Sequence, residues 1–120
     1  MALTSFDFQQ ARVKQVLFKS RLRSVLYGVR EAEPELFSIR DNPLGQWIQT
    51  TLKPALQTSA EVRDLEHLVQ QMLQTGKELA TRYSRGQIEE SRAGLDQINA
   101  FAAQIEALLN RLEAGVKPGA

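Results

Sequence analysis

The spacing of apolar residues constrains the fold of this chain more than any other feature of its sequence. Through most of the 120 residues, apolar side chains recur alternately three and four positions apart. This spacing places them on one face of an α-helix. Alternating runs of the kind that form strands are absent. The sequence therefore predicts an all-α fold built from amphipathic helices.

The first predicted helix has one polar residue in its apolar face. Thr4 and Asp7 have the spacing of an N-terminal cap, and Gly28 followed by Pro34 marks the end of the helix. Gln15 is the polar position, and burying its amide is unfavourable unless the amide is hydrogen-bonded. Gln15 either specifies helix register or occupies a position that once held a functional polar group. The apolar face comprises Phe8, Ala11, Gln15, Phe18, Leu22, Val25 and Val29.

The second predicted helix is short. After a loop over residues 31–40, Asn42 can cap a helix whose first position is Pro43, where no amide hydrogen bond is required. Lys53 and Pro54 predict its end. The apolar side of this helix comprises Leu44, Trp47, Ile48 and Leu52.

The third and fourth predicted helices are long. Thr58 and Glu61 have capping-box spacing at the start of the third helix, and Gly86 is the expected left-handed terminator between the two. We expect the tail, residues 115–120, to be flexible. The third apolar face comprises Val62, Leu65, Val69, Met72, Leu73, Gly76, Leu79, Ala80 and Tyr83. The fourth comprises Ile88, Leu95, Ile98, Ala102, Ile105, Leu109 and Leu112.

Together these elements predict a single domain over residues 1–120. Three long helices and one short helix, joined by short turns, are typical of an antiparallel four-helix bundle. The near-heptad spacing predicts left-handed packing at shallow crossing angles. A hydrophobic content of 42% and a charged content of 24% are ordinary for a globular domain of this length.

The composition argues against catalysis. The chain has no cysteine and one histidine, so most pairings of a nucleophile with a base lack a candidate. His67 lies two positions after Leu65 of the apolar face, which predicts a surface position. Glu89 and Glu90 are adjacent on a helix and point to different sides, which is typical of solvated charges. The glycines are scattered and form no phosphate-binding loop. We therefore expect no enzyme activity.

Charge and hydropathy predict a cytoplasmic protein that does not bind nucleic acid. No apolar run approaches the roughly 20 residues that cross a bilayer, and the first residues lack the pattern of an export signal. Residues 1–30 carry six cations against the single anion Asp7. No aromatic platform or nucleic-acid motif accompanies these cations. We interpret them as a solvated face, balanced by acidic neighbours at Glu31, Glu33 and Glu35.

Four segments, taken in order, match the pattern of a known domain family. They are Ala11 to Lys19, Asn42 to Trp47, Leu65 to Leu73, and Gly76 to Leu79. Their order resembles the bacterial chemoreceptor zinc-binding (CZB) domain over about residues 6–113, and the L-G-x-W stretch is the most specific piece. The resemblance implies a four-helix bundle, usually appended to chemoreceptors or diguanylate cyclases, that binds zinc through three histidines and one cysteine.

All four zinc-ligand positions implied by the resemblance hold other residues. They fall on Gln15, on Asn42, two residues before the L-G-x-W stretch, and on Val69 and Leu73, which are one helical turn apart. Amide oxygens are poor zinc donors, and valine and leucine cannot coordinate a metal. We therefore expect no metal and no cofactor. We expect Val69 and Leu73 to fill the former site with hydrocarbon, and Gln15 and Asn42 to share a hydrogen bond beside it.

Taken with the loss of the ligands, the resemblance implies a zinc-independent regulatory or sensory module of bacterial signalling and chemotaxis. Such a module acts through contacts with a protein partner, such as a chemoreceptor or a diguanylate cyclase. We also expect a homodimer, because symmetric dimers are the commonest oligomers and a helical bundle offers a face for pairing. The alternatives are a constitutive scaffold or adaptor, and a small-molecule binder with a cavity between helices. Trp47 either packs in the core or anchors a partner; its shared apolar side with Leu44 and Ile48 favours the core.

Overall fold

The computed structural model describes residues 3–56 and 59–116, and every regular element in these ranges is helical. The prediction of an all-α fold is confirmed. In the same ranges, no helix combines the length and the hydropathy that a membrane span requires. In chain order the elements are α1 (Ser5–Leu26), a 3-10 turn (Pro34–Phe37), α2 (Pro43–Trp47), a π-helical turn (Ile48–Leu52), α3 (Lys53–Ala55), α4 (Ala60–Ser84), α5 (Ile88–Ala93) and α6 (Leu95–Val116).

The ends of α1 follow from local sequence. The Thr4 hydroxyl accepts a hydrogen bond from the Asp7 amide, and the Asp7 carboxylate accepts one from the Thr4 amide at 2.8 Å. This is the predicted cap, completed as a capping box. Gly28 follows the helix with a φ of +74°, which glycine adopts without steric cost. Because α1 ends at Leu26, Val29 lies outside it and is 77% exposed. The prediction that Val29 belongs to the apolar face is wrong.

The short helical segment is held against the loop before it. Its three pieces, α2, the π-helical turn and α3, follow one another without a break from residue 43 to residue 55. Asn42 caps α2 and Pro43 takes its first position, as predicted. Gly45 lies so close to the loop that a Cβ at this position would overlap the carbonyl oxygen of Ile39. The absence of a side chain at Gly45 therefore lets the loop and α2 approach each other.

The start of α4 differs in part from the prediction. Ser59 is its N-cap, and the Ser59 hydroxyl accepts a hydrogen bond from the Val62 amide at 3.4 Å. The predicted capping residue, Thr58, lies outside the described residues. At the other end, Gly86 has a φ of +84°, so the predicted left-handed terminator is confirmed.

The fourth predicted helix consists of two pieces, α5 and α6, which separate at Gly94. A Cβ at Gly94 would overlap the side chain of Leu79 on α4. The lack of a side chain therefore allows α4 and the start of α6 to pack closely. At its far end, α6 continues through Gly115 and Val116, the first two residues of the predicted tail. Residues 117–120 lie outside the described ranges.

The helices enclose one elongated core, in a molecule of 52 × 22 × 22 Å. Helix α4 packs against α6, and α1 packs against both. Arg12 of α1 contacts Glu113 of α6, whereas the later residue Gln15 contacts the earlier residue Ala102. These two helices therefore run in opposite directions. The core contains buried members of all four predicted apolar faces, together with Leu26, Leu36 and Leu108.

Candidate functional site

Gln15 connects two helices inside the core. The residue is 7% exposed, and its Nε2 donates a hydrogen bond to the backbone carbonyl of Ala102 on α6 at 3.0 Å. Its Oε1 is also buried and has no hydrogen-bond partner among the described residues. A buried acceptor without a partner costs about 1–3 kcal/mol, which is comparable to the gain from the bond that is made. Gln15 therefore positions α1 against α6 at little net gain in stability.

Asn42 is buried with both amide atoms hydrogen-bonded. Its Oδ1 accepts a hydrogen bond from the Leu44 amide at 2.9 Å, and its Nδ2 donates one to the carbonyl of Leu36 at 2.7 Å. The predicted hydrogen bond between Gln15 and Asn42 is therefore wrong. The cap of α2 uses the Asn42 oxygen, and the two amide nitrogens donate to backbone carbonyls in different parts of the chain.

Val69 and Leu73 lie in the hydrophobic core on the same face of α4. One turn further along, Gly76 contacts the Phe18 ring of α1. Leu73 lies about one turn before Gly76 on α4, and Gln15 lies about one turn before Phe18 on α1. Within the described part of the chain, no group of three or more His, Cys, Asp or Glu side chains could hold a metal ion. The apolar side chains of Val69 and Leu73 therefore fill these two positions in the core.

Trp47 anchors the short segment to the start of α1. The side chain is 4% exposed, and its ring meets Phe8 edge to face with centroids 5.8 Å apart. The indole Nε1 is buried and has no hydrogen-bond partner among the described residues. With so little of its surface exposed, Trp47 contributes to the core and not to the outer surface.

The residues considered for acid–base chemistry lie apart from the core. His67 is exposed on α4, and Glu89 and Glu90 are exposed on α5. Their side chains extend into solvent, as the sequence predicts for ordinary surface charges.

Arg12 joins α1 to α6 through three side chains. Its Nε donates a hydrogen bond to Glu106 at 2.9 Å, and its Nη2 donates to Asn110 at 2.8 Å and to Glu113 at 2.7 Å. The pKa of Arg12 is raised, chiefly by the hydrogen bond to Glu113; partial burial lowers it, and Glu106 raises it again. The planar guanidinium can serve several acceptors at once, which an ammonium group does less well.

A second arginine joins the end of α1 to α5. The Nε of Arg92 donates a hydrogen bond to the carbonyl of Leu26 at 2.8 Å, and its guanidinium lies 4.2 Å from the centroid of the Tyr27 ring. A cation at the C-terminus of a helix is favourable. Arg23 approaches the same ring at 5.4 Å. Sequence analysis misses Arg12 and Arg92 because their partners are distant in the chain.

Helix α1 also has apolar residues on the side that faces away from the core. Phe6, Val13, Val16 and Leu17 are exposed there, and we refer to them as the outer stripe. Val13 is 54% exposed and Val16 is 66% exposed. The sequence signal is the spacing of seven residues from Phe6 to Val13, followed by four to Leu17. The buried face of the same helix is more strongly apolar and dominates the periodicity of this segment.

Cations border the outer stripe on both sides. From the helical rotation of about 100° per residue, Lys14 and Arg21 lie along one edge and Arg23 lies along the other, whereas Lys19 is turned further towards the core face. The only anion in α1 is Asp7, which participates in the N-terminal cap. Among the described residues, Lys14, Lys19 and Arg23 form no ion pair. The result is an uncharged apolar strip between two positively charged edges.

Comparisons with family models, with curated proteins and with solved structures found no match for this chain.

Proposed function

We propose that this chain is a cytoplasmic, non-catalytic regulatory module of bacterial signalling that acts by binding another protein. In this proposal it is a zinc-independent relative of the chemoreceptor zinc-binding domains. Its α1, the short segment 43–55, α4 and the α5–α6 pair form an antiparallel four-helix bundle. The partner class that the resemblance suggests is a chemoreceptor or a diguanylate cyclase.

The outer stripe of α1 is the observation that carries the proposal. Isolated apolar residues are common on protein surfaces, whereas apolar residues that share one face mark an interaction site. Val13, Val16 and Leu17 are consecutive members of one exposed helical face. A protein partner that covered them would remove apolar surface from water, which is the main favourable term in association.

The proposed kinship with the zinc-binding domains rests on the sequence resemblance, and the structure shows what the implied ligand positions do in this chain. Val69 and Leu73 are core residues, and Asn42 is the N-cap of the short helix. Each position that the resemblance assigns to a ligand therefore has a structural role of its own here. A well-packed apolar centre can hold a bundle together as well as a buried polar group can.

Site-specific photo-crosslinking tests whether the chain acts through protein contacts. A benzophenone amino acid at Val16, in the cells that express the chain, is expected to give a discrete protein adduct. Val29 is the matched control, because it is a valine of similar exposure, 77%, that lies outside the stripe. If Val16 gives no adduct beyond that of Val29, the proposed function is wrong. If the crosslinked partner has the same activity with and without this chain, the chain is a constitutive scaffold.

A homodimer is a second part of the proposal. Symmetric pairs are the commonest oligomers of soluble proteins, and helical bundles offer long faces for pairing. Sedimentation equilibrium over a wide concentration range is expected to show a mass that rises towards two chains. A monomer at every concentration would remove the homodimer and leave the contact with another protein to be tested by crosslinking.

A further inference from the structure

We infer that the outer stripe of α1 binds an amphipathic helix of another protein whose apolar seam is flanked by acidic residues. This inference rests on the proposed function and specifies the chemistry of the partner.

The spacing along the stripe suits a helical partner. Phe6, Val13 and Ser20 are spaced seven residues apart. Leu17 lies four residues after Val13, and Ser24 lies four residues after Ser20. An uncharged seam with this repeat stays on one side of a helix and matches the seam of a second helix. From Phe6 to Ser24 it is about 27 Å long at 1.5 Å per residue. The serines at one end leave room for close approach of a partner backbone.

The cations beside the seam favour a partner whose flanking residues are negatively charged. Lys14 and Arg23 lie on opposite edges, at the flanking positions whose charges choose partners between paired helices. Arg21 lies further along the Lys14 edge, in a surface cleft that also contains carboxylates of the loop after α1. A partner with acidic flanks meets unlike charges on both edges.

Two other occupants of the outer stripe are disfavoured, a second copy of this chain and a membrane surface. A second copy of α1 would bring its own cations against Lys14 and Arg23, and such like-charge contacts oppose association. A membrane surface would attract these cations, but helices that lie in the interface have a broad face of large apolar side chains. Here the seam is narrow, and Gln10, Ser20 and Ser24 interrupt it.

Two designed peptides test the inference with the full chain. Both have three heptads with leucine at the seam; one has glutamate at the flanking positions and the other has glutamine. We expect the glutamate peptide to bind about tenfold more tightly or better, a difference of about 1.4 kcal/mol. Its affinity should fall as salt is added, because exposed charges are screened. Equal affinity for the two peptides would overturn the inference.

Matched variants locate the binding surface. Val16→Glu is expected to weaken binding of the glutamate peptide at least about tenfold, whereas Val29→Glu, at a site of similar exposure outside α1, should change it less than about twofold. Lys14→Glu combined with Arg23→Glu should abolish the preference for the glutamate peptide, and Lys77→Glu on α4 should preserve it. Helical circular dichroism checks that each variant folds. Equal effects of Val16→Glu and Val29→Glu would overturn the inference.

The remaining outcomes identify a different occupant. Binding to phosphatidylserine vesicles without binding to either peptide would make the occupant a membrane. Self-association abolished by Val16→Glu, again without peptide binding, would make it a second copy of this chain. If crosslinking at Val16 finds a protein partner in cells but neither peptide binds, the inference is wrong while the proposed function stands.

Discussion

At the scale of single residues, the L-G-x-W stretch has a physical explanation in this structure. Asn42 before it caps α2 and holds the carbonyl of Leu36. Gly45 admits the Ile39 carbonyl, and Trp47 packs edge to face on Phe8. The stretch thus fixes the loop, the short helix and α1 relative to one another. Its backbone contacts make the glycine the residue least open to substitution.

Gly45→Ala should destabilise the protein by more than about 2 kcal/mol, because the new methyl group would overlap a backbone oxygen that has no rotamer to adopt. Gly115→Ala is the matched control. Gly115 lies in α6 with open space where its Cβ would be, so alanine should be neutral or stabilising by up to about 1 kcal/mol. Urea unfolding of both variants measures the difference. A Gly45→Ala variant as stable as the parent would contradict the described approach of loop and helix.

Gln15→Leu should change the free energy of unfolding by no more than about 1 kcal/mol in either direction. It removes one hydrogen bond to Ala102 and also removes the unpartnered buried oxygen. Gln15→Glu has nearly the same shape but places a carboxylate beside the carbonyl of Ala102. We expect a large loss of stability at neutral pH that recovers in acid, because burial raises the pKa of such a carboxyl and favours its neutral form. A loss above about 3 kcal/mol for Gln15→Leu would instead identify Gln15 as essential to a polar network.

At the scale of helices, elements set by local residues could be predicted and elements set by distant contacts could not. Thr4, Asn42 and Gly86 act within a few residues of themselves, so the sequence predicts the ends they form. The close packing of Gly94, where α5 and α6 separate, against Leu79 of another helix is a contact that no local pattern reveals. The same holds for Arg12, whose three acceptors all lie on α6.

Arg12→Met should lower stability by about 1–2 kcal/mol, because Glu106, Asn110 and Glu113 lose the donors that join α1 to α6. Arg12→Lys should recover only part of this loss, since an ammonium cannot reproduce the guanidinium fork. Arg63→Met, at an exposed position on α4, is the control and should have little effect. The difference between parent and Arg12→Met should shrink in concentrated salt, as measured by thermal unfolding. A loss that salt leaves unchanged would indicate a packing role for the Arg12 side chain.

At the scale of the whole molecule, the apolar positions of the core were the predictable part of the candidate site. Val69 and Leu73 were expected to be buried hydrocarbon because they continue the apolar face of their helix. The acceptors of the Gln15 and Asn42 amide nitrogens were not predictable, since a buried amide donates to whichever backbone carbonyl tertiary packing brings within reach. The spacing of Phe6, Val13 and Leu17 indicates the outer stripe. Only the structure, however, shows that this apolar face is exposed and not buried.

Because the core is apolar where the resemblance implies a metal, chelators should leave the stability unchanged. The expected result is a strongly helical circular-dichroism spectrum with one cooperative unfolding transition, and the same midpoint with and without EDTA. Bundles built around a structural metal lose stability when the metal is removed. A substantially lower midpoint in EDTA would show that a metal contributes to the fold.

Restoring the four implied ligands tests the proposed kinship and the arrangement of the helices together. The variant combines Gln15→His, Asn42→Cys, Val69→His and Leu73→His. Val69 and Leu73 are one turn apart on one face of α4, so two imidazoles there point the same way. Three nitrogens and a thiolate satisfy the tetrahedral preference of zinc, provided that all four side chains converge.

The structure shows which stabilising interactions this variant loses, and zinc binding must offset that loss of stability. Val69→His and Leu73→His put polar rings into the core, and Asn42→Cys removes the α2 cap and the hydrogen bond to the Leu36 carbonyl. Without metal, the variant should therefore be clearly less stable than the parent. Zinc should restore its midpoint by mass action, with one tight equivalent per chain by calorimetry and none in the parent. A control that keeps the two histidines on α4 but retains Gln15 and Asn42 should bind zinc far more weakly, because it has only two good ligands. If the complete variant folds yet binds no better than this control, the four positions do not converge, and the proposed kinship with the zinc-binding domains is wrong.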